Sequence, residues 1–297
     1  FEQLIGGNDL EAVAQFPPLS FERRLSSPVG SIAFSVDKRP GEKGFCTGSL
    51  ISDRLVLTNR HCYVSAAGRS TAMVFRLGMV EAGMDHLVDE YLLKLPPLEL
   101  GPDLNSDYAI FELGRPADAK WGRVLFSDDH PVENQGLLVV QHPQGLPQLI
   151  AKGKCAAVSQ NAIRNGGKRL FHRCDTDAGS SGAPVFMPRF DGPPLMVALH
   201  HSAPSKDANA AITMRHLLEI SPTLAGLYRR QRSEPDKAPE VVSTVNCEQS
   251  VRDILLRNSL VEQRSELEAL KPLCIGTPVE AFIQRNLQRL NLELSFN

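Results

Sequence analysis

The chain has 297 residues, of which 42% are hydrophobic and 22% charged, and a net charge of −2. That length accommodates one large or two medium domains with an ample core, and the composition is that of an ordinary globular protein. The near-neutral charge argues against a nucleic-acid partner or an anionic membrane surface, and no apolar run approaches the ~20 residues of a membrane span.

The start of the chain, Phe-Glu-Gln-Leu-Ile-Gly-Gly, has neither the basic nor the apolar region of a secretory signal, so any such signal is expected to have been removed. Residues 1–28 read as irregular, punctuated by Pro17, Pro18 and Pro28. Short β-type runs follow: residues 30–36 with Ile32, Phe34 and Val36 alternating, then 46–51, 54–58, 73–77, 87–95 and 108–113. The series continues with 137–140, 149–158, Val185-Phe186 and 195–200, and turn residues separate nearly all of these runs. Many short strands without intervening helical periods predict an all-β barrel or sandwich.

The character changes near Ala211. Met214, Leu217, Leu218 and Ile220 have helical spacing, and a polar linker is expected from Arg229 to Pro239. Beyond it, Asn246 with Gln249, Ser259 with Glu262 and Thr277 with Glu280 have capping-box spacing, the last with Pro278 at the first helical position. Val251, Ile254 and Leu255 form one apolar stripe, and Val279, Phe282, Ile283, Leu287 and Leu290 another. Residues 231–297 therefore read as a linker and a small C-terminal α-helical extension.

The six cysteines fall into local pairs: Cys46 and Cys62, Cys155 and Cys174, and Cys247 and Cys274 in the tail. As three disulfides they imply an oxidising compartment, hence a secreted or periplasmic protein. Zinc is the competing reading, with His61 beside Cys62, but no Cys-x2–4-Cys pair occurs. Disulfides are favoured, and neither a metal nor a cofactor is expected.

Residues 174–186 read Cys-Asp-Thr-Asp-Ala-Gly-Ser-Ser-Gly-Ala-Pro-Val-Phe, a tight glycine-bounded turn presenting Ser181. A hydroxyl becomes a nucleophile when a base takes its proton and fixed donors await the oxyanion. His61 follows a strand in Leu57-Thr58-Asn59-Arg60-His61-Cys62, and Asp107 precedes an apolar strand in Asn105-Ser106-Asp107-Tyr108-Ala109-Ile110. Taken singly, the three read better as a surface turn, a packed or exposed histidine and an Asx turn. Taken together, the order His61, Asp107, Ser181, each at a strand end, resembles the chymotrypsin-type serine peptidases. The resemblance is carried by Cys46-Thr47-Gly48 through His61-Cys62, by Asp107 to Ile110, by Gly179 to Val185 and by Leu199-His200-His201, and spans roughly residues 5–225. Ile5-Gly6-Gly7-Asn8-Asp9, Cys174-Asp175-Thr176 and Asn209-Ala210-Ala211-Ile212 are similar to the bacterial glutamyl endopeptidase branch of that family.

The resemblance implies two antiparallel six-stranded β-barrels within residues 1–230, dividing near 115–135, with the site between them. It implies that His61 is the general base and acid, Asp107 its orienter and Ser181 the nucleophile, with the backbone N–H groups of Gly179 and Ser181 as the oxyanion hole. Ser180 stands where the digestive enzymes carry an aspartate, so their zymogen switch is not expected. Thr176, His200 and the Phe1 amino group are implied as the pocket for a substrate Glu or Asp side chain. An alternative is Lys or Arg preference through Asp175. His201 is a weaker pocket candidate, because side chains alternate along a strand. The expected partners are protein or peptide substrates, with a partner or pro-segment contact through the C-terminal helices also open. The rival readings are a non-catalytic binding module of the same fold and a metal-dependent hydrolase, although His200-His201 and His142-Pro143 lack helical i, i+4 spacing.

Overall fold

The computed structural model describes residues 3–5, 7–17, 20–36, 39–65, 68–83, 87–158, 163–164, 166–189, 193–205, 207–233, 263–264, 267–268 and 280–295. Chain order is β1 (Leu10–Ala12), α1 (Phe21–Ser26), β2 (Val29–Val36), β3 (Arg39–Leu50), β4 (Leu55–Thr58), β5 (Val64–Ser65), β6 (Gly68–Leu77), β7 (Asp89–Leu92), β8 (Glu99–Leu100) and β9 (Ala109–Glu112). After the connection across residues 113–137 come β10 (Leu138–Gln141), β11 (Leu149–Ala151), β12 (Ile163–Arg164), β13 (Arg169–His172), β14 (Pro184–Met187), β15 (Leu195–Ser205) and β16 (Ala208–Thr213). Helices α2 (Met214–Ile220), α3 (Pro222–Ser233) and α4 (Glu280–Ser295) follow.

All strand pairs in the two sheets are antiparallel. In the first sheet β6, β2, β3, β4 and β9 are neighbours in that order, β7 pairs with β6, and the two-residue strands β5 and β8 flank the path. The bridge Leu93↔Leu113 joins the end of β7 to the end of β9, so the six principal strands run back on themselves. In the second sheet the order is β11, β10, β14, β15, β16 and β13, with the short strands β1 and β12 at its ends. There Gly136↔Ala156 and Ala157↔His172 bridge the β10 side to β13. The all-β architecture of two six-stranded antiparallel units is thus present, each with two short additional strands.

The pleat explains the long apolar runs. Alternate residues of one strand face opposite sides, so a strand buried on both sides shows no polar face. On β4 Val56 enters the first sheet's own core while Leu57 enters a central layer; on β9 Phe111 and Ile110 divide in the same way. On β10 Val139 fills the second sheet's core, and Leu138 and Val140 join the central layer. Leu199, Ile212 and Met214 complete that layer from the second half. The central layer therefore fuses two small cores, and the residues at its rim are held from both sides.

The structure corrects several sequence expectations. The first 28 residues are not wholly irregular, since β1 crosses over to pair with β11. The change to helix comes after β16, where Thr213 caps α2 by accepting the His216 N–H. The linker expected from Arg229 is helical through Ser233, because Leu224, Leu227 and Tyr228 of α3 pack on the central layer. The Gln231 side chain then brackets Phe126, accepting its N–H at 2.9 Å and donating to its carbonyl at 2.8 Å. In α4 Ile283 and Leu290 lie on one face and are buried. Cys247, Cys274 and the caps and stripe expected before α4 lie outside the described residues, apart from Glu280.

Cys46–Cys62 and Cys155–Cys174 are disulfides. With sequence separations of 16 and 19, each restricts the unfolded chain by about 3 kcal/mol. The first ties the turn after β4 to β3; the second ties the segment before the Ser181 turn to the segment after β11.

Candidate functional site

Pairing of β4 with β9 puts Thr58 opposite Ala109. Three residues beyond Thr58 comes His61, on a single helical turn over Arg60–Cys62; two residues before Ala109 comes Asp107. Asp103 shapes the approach to Asp107 by accepting the N–H groups of Asn105 and Ser106, both at 2.9 Å. Asn59 locks the two turns together by donating its Nδ2 hydrogen to the Asp107 carbonyl at 2.8 Å. Asp107 is fully buried. It accepts the His61 backbone N–H on Oδ1 at 2.9 Å and the His61 ring Nδ1 on Oδ2 at 2.6 Å. An ionised carboxylate only accepts, so the hydrogen lies on His61 Nδ1 and Nε2 is left as the basic nitrogen. Burial pushes the Asp107 carboxyl up, but hydrogen bonds from His201 and His61 and the charge of both rings outweigh it and hold it well below the carboxylate range.

His201, the weaker pocket candidate, meets a different partner. Its Nδ1 lies 3.0 Å from the same Asp107 Oδ2. His201 stands at the irregularity of β15 between His200 and Ser202, and its ring meets the carboxylate of the other sheet. Nothing in local spacing names the partner, because Asp107 belongs to the other sheet. Possible ligand atoms of His61, Asp107 and His201 lie within 4.8 Å of one another. As arranged, both ring N–H groups face the carboxylate, which makes the group a hydrogen-bonded one. Cys46, His61 and Cys62 also gather, but disulfide sulfurs offer no thiolate to a metal.

Ser181 belongs to the turn before β14 and is nearly buried. Its carbonyl accepts the Thr47 N–H at 2.8 Å, and Gly182 donates its N–H to His200 at 3.0 Å. Gly182 has φ +87°, and a Cβ there would collide with the Thr47 carbonyl and the Thr58 hydroxyl, so only glycine lets the turn lie this close to the β4 end that carries His61. Thr47 Oγ1 donates to the Gly179 carbonyl and accepts the His142 N–H, both at 3.0 Å. Gly179 has φ +98° and packs against Gln144, whose N–H reaches the Ala178 carbonyl at 2.5 Å. A trans peptide sets N–H opposite C=O, so this bond turns the Gly179 N–H away from Gln144. Ser180 is buried; its hydroxyl reaches the Asp177 carbonyl at 2.6 Å and Gln141 Oε1, while Gln141 Nε2 donates to the Asp175 carbonyl at 2.8 Å. Gln141 was invisible as a site residue in the sequence, where it reads as the end of an apolar strand.

Thr176 is fully buried and its backbone N–H donates to the Gln3 carbonyl at 3.0 Å. Its Oγ1 is buried with no hydrogen-bond partner among the described residues. His200 is fully buried on β15, with Nδ1 3.3 Å from His172 Nε2 and the rings edge to face at 5.4 Å. Burial, with the His200 charge adding to it, holds His172 well below the usual histidine range. His172 was missed because it stands on β13, a strand the sequence did not reveal.

Asp175 is not a pocket carboxylate. It is 1% exposed, and its two oxygens accept the N–H groups of Ile5 and Asp9 at 2.5 and 2.8 Å. Burial pushes its carboxyl up, only partly offset by these bonds, and the Asp9 charge adds to the rise. The expectation of a Lys or Arg pocket built on Asp175 is therefore corrected: the side chain holds the N-terminal segment. Phe1 lies outside the described residues.

Residues 46–190 match the family model of the trypsin-like peptidase domain. A solved Glu endopeptidase in complex with MPD aligns at TM-score 0.56 and 15% identity over 77% of this chain and 99% of its own. GrC aligns at 0.52 and 17%, over 73% and 96%. The scabies mite inactivated protease paralogue S-I1 aligns at 0.51 and 16%, over 68% and 96%. These likenesses are of fold. No curated protein sequence matches the chain.

Proposed function

We propose that this chain, whose residues 46–190 match the family model of the trypsin-like peptidase domain, is an active serine endopeptidase in which His61, Asp107 and Ser181 form the triad. The observation that carries the reading is the fully buried Asp107 held at 2.6 Å by the His61 ring, with the Ser181 turn docked on Thr47 beside it. His61 takes the Ser181 proton as the hydroxyl attacks the scissile carbonyl, and returns it to the leaving amine as the acyl-enzyme forms. Water then repeats the sequence in reverse. Asp107 fixes the tautomer and stabilises the imidazolium, and the N–H groups of Gly179 and Ser181 receive the oxyanion. The two disulfides fit a protein that folds in an oxidising compartment, secreted or periplasmic.

The pocket reading is a preference for Glu or Asp at the cleaved position. A buried Thr176 hydroxyl without a partner and a buried His200 backed by His172 favour a ligand that accepts hydrogen bonds. Asp175 is spent on the N-terminal segment and does not offer its carboxylate to a cation. One structural neighbour is an inactivated paralogue, so fold alone does not speak for catalysis; the intact His61–Asp107 pair and the serine turn do. The deciding experiment treats the protein with a fluorophosphonate and with peptides carrying Glu, Asp, Gln, Arg, Leu or Phe at the cleaved position. Labelling of Ser181 and cleavage after Glu well ahead of Gln are expected. Labelling elsewhere removes the triad reading, and cleavage only after Arg removes the pocket reading.

A further inference from the structure

Three atoms of the kind that bind metal ions converge where the two sheets meet. His61 Nδ1 and His201 Nδ1 approach one oxygen, Asp107 Oδ2, at 2.6 and 3.0 Å, and ligand atoms of the three residues lie within 4.8 Å of one another. We propose that they form an inhibitory site for a zinc ion, which holds His61 in the tautomer that cannot act as a base. The site stands on these atoms alone; its effect on catalysis rests on the serine-peptidase reading above.

Two imidazole nitrogens and a carboxylate oxygen are a donor set that zinc accepts in four-coordinate sites, with water in the remaining position. Calcium and magnesium are poorly served, because they take six or more ligands, nearly all oxygen. Zinc–ligand bonds of about 2.0–2.2 Å in a tetrahedron put neighbouring ligand atoms about 3.3 Å apart. From the present spacings, His61 must draw back by about 0.7 Å and His201 by about 0.3 Å. The His61 side chain is 32% exposed and has room to move outward. Asp107 stays in place, because Asn59 holds its carbonyl and the His61 backbone N–H holds Oδ1. Arg169, facing His201 from β13, is the charge that opposes a cation here, although its Nη2 is engaged by the Leu104 carbonyl. The fully buried Asp107 carboxylate lies closer to the ion, as one of its ligands, and offsets that repulsion.

Binding is a ligand exchange that also moves a hydrogen. Without metal, each neutral ring carries its one hydrogen on Nδ1, facing the carboxylate. When Nδ1 gives its lone pair to zinc, that hydrogen passes through solvent to Nε2, and the ion sheds the waters that the three ligands replace. No electron is transferred and neither ring gains or loses a proton overall. The consequence falls on His61. Its Nε2 becomes an N–H donor and can no longer take the Ser181 proton. The carboxylate that would stabilise an imidazolium is neutralised by the ion at the same time. One ion therefore removes both the base and its support, and removing the ion restores them.

The rate of fluorophosphonate labelling at Ser181 reads the base without depending on the pocket, so zinc chloride is titrated against it in wild type, His201→Ala and His201→Phe. Zinc should slow the labelling of wild type, and EDTA should restore it fully. Losing a group that merely supports a zinc ligand weakens binding by about 10–100-fold. Losing the ligand itself should raise the zinc needed by at least about 100-fold in both variants. Equal sensitivity of the variants overturns the proposal, and so does a wild type that EDTA alone inactivates. Cobalt(II), a spectroscopic stand-in for zinc, tests the site directly. One equivalent should give wild type the intense visible bands of a four-coordinate ion, and the bands should persist after Ser181 is labelled, because the ligand atoms are Nδ1 and the adduct lies on the Nε2 side. Bands that vanish on labelling, or that remain in His201→Phe, overturn the proposal. Should neither variant fold, the wild-type spectrum decides, and its absence overturns the site. Wild type that is not labelled at Ser181 sinks the peptidase reading, while the cobalt spectrum still judges the site by itself.

Discussion

The proposed proton-transfer corner around Asp107 and the proposed specificity pocket around Thr176 differ in how far their polar groups are satisfied. Around Asp107, both carboxylate oxygens have donors, the backbone carbonyl has Asn59, and the approach is pinned by Asp103, so that Asn59 Oδ1 is the one buried side-chain atom of these residues without a described partner. Around Thr176, by contrast, buried polar atoms stand without partners among the described residues: Thr176 Oγ1, His172 Nδ1 and Asn209 Oδ1. Leaving such groups unsatisfied typically destabilises a fold by about 1–3 kcal/mol each. The difference is informative because, on the proposed function, the substrate side chain enters only one of the two places. A group that must act on a proton is held complete beforehand, whereas a group that must recognise a side chain keeps bonding capacity for it.

The largest effect is expected where the complete corner is broken. Asp107→Asn preserves shape but offers His61 an amide in place of a carboxylate, favouring the wrong tautomer. A fall in kcat of about 10⁴-fold is expected, with KM changing far less. Single-turnover kinetics check it. A loss below about tenfold, small beside the loss expected for such a substitution, would mean that the buried pair is structural.

This contrast was only half legible in the sequence. His61, Asp107 and Ser181 could be read because each sits next to a strand end with its own turn chemistry, and both described disulfides could be read from local cysteine spacing. What escaped depends on long-range register. His172 is opposite Asn209 because β13 pairs with β16, and neither strand carried a clear period-2 signal; Asn209-Ala210-Ala211 offers little apolar bulk. Asp175 reads as a pocket carboxylate until the N-terminal segment is seen to fold back across sequence separations of 166 and 170 to meet it. Helix α3 was cut short because its last turn is Arg-Arg-Gln-Arg, polar in composition yet good helix formers anchored by Leu224.

The two disulfides allow the halves to be loosened separately. Cys46→Ala/Cys62→Ala and Cys155→Ala/Cys174→Ala should each lower stability by about 3 kcal/mol, read as unfolding midpoints in urea. Their kinetic signatures should differ. The first releases the turn that carries His61 and should act chiefly on kcat; the second releases Cys174, two residues before Thr176, and should act chiefly on KM. Identical signatures would mean that the corner and the pocket are one mechanical unit, and the contrast between them would lose its meaning.

The smallest effect should be the sharpest test of the pocket. Thr176→Val keeps the volume and removes only the hydroxyl. If that hydroxyl were an ordinary structural group, replacing it would leave some partner unsatisfied and lower the melting temperature. No described partner exists, so exchanging an unbonded buried hydroxyl for a methyl should leave Tm unchanged or raised. Activity should move the other way. Loss of one donor to a substrate carboxylate predicts a roughly tenfold fall in kcat/KM for a Glu peptide, and almost none for the matching Gln peptide, because a hydrogen bond to a charged group is worth more than one to a neutral amide. The ratio of the two peptides is the quantity to measure, since it cancels general damage to the enzyme. An unchanged ratio with raised Tm would make Thr176 a packing defect rather than a recognition group, and would leave His200 to carry the preference alone.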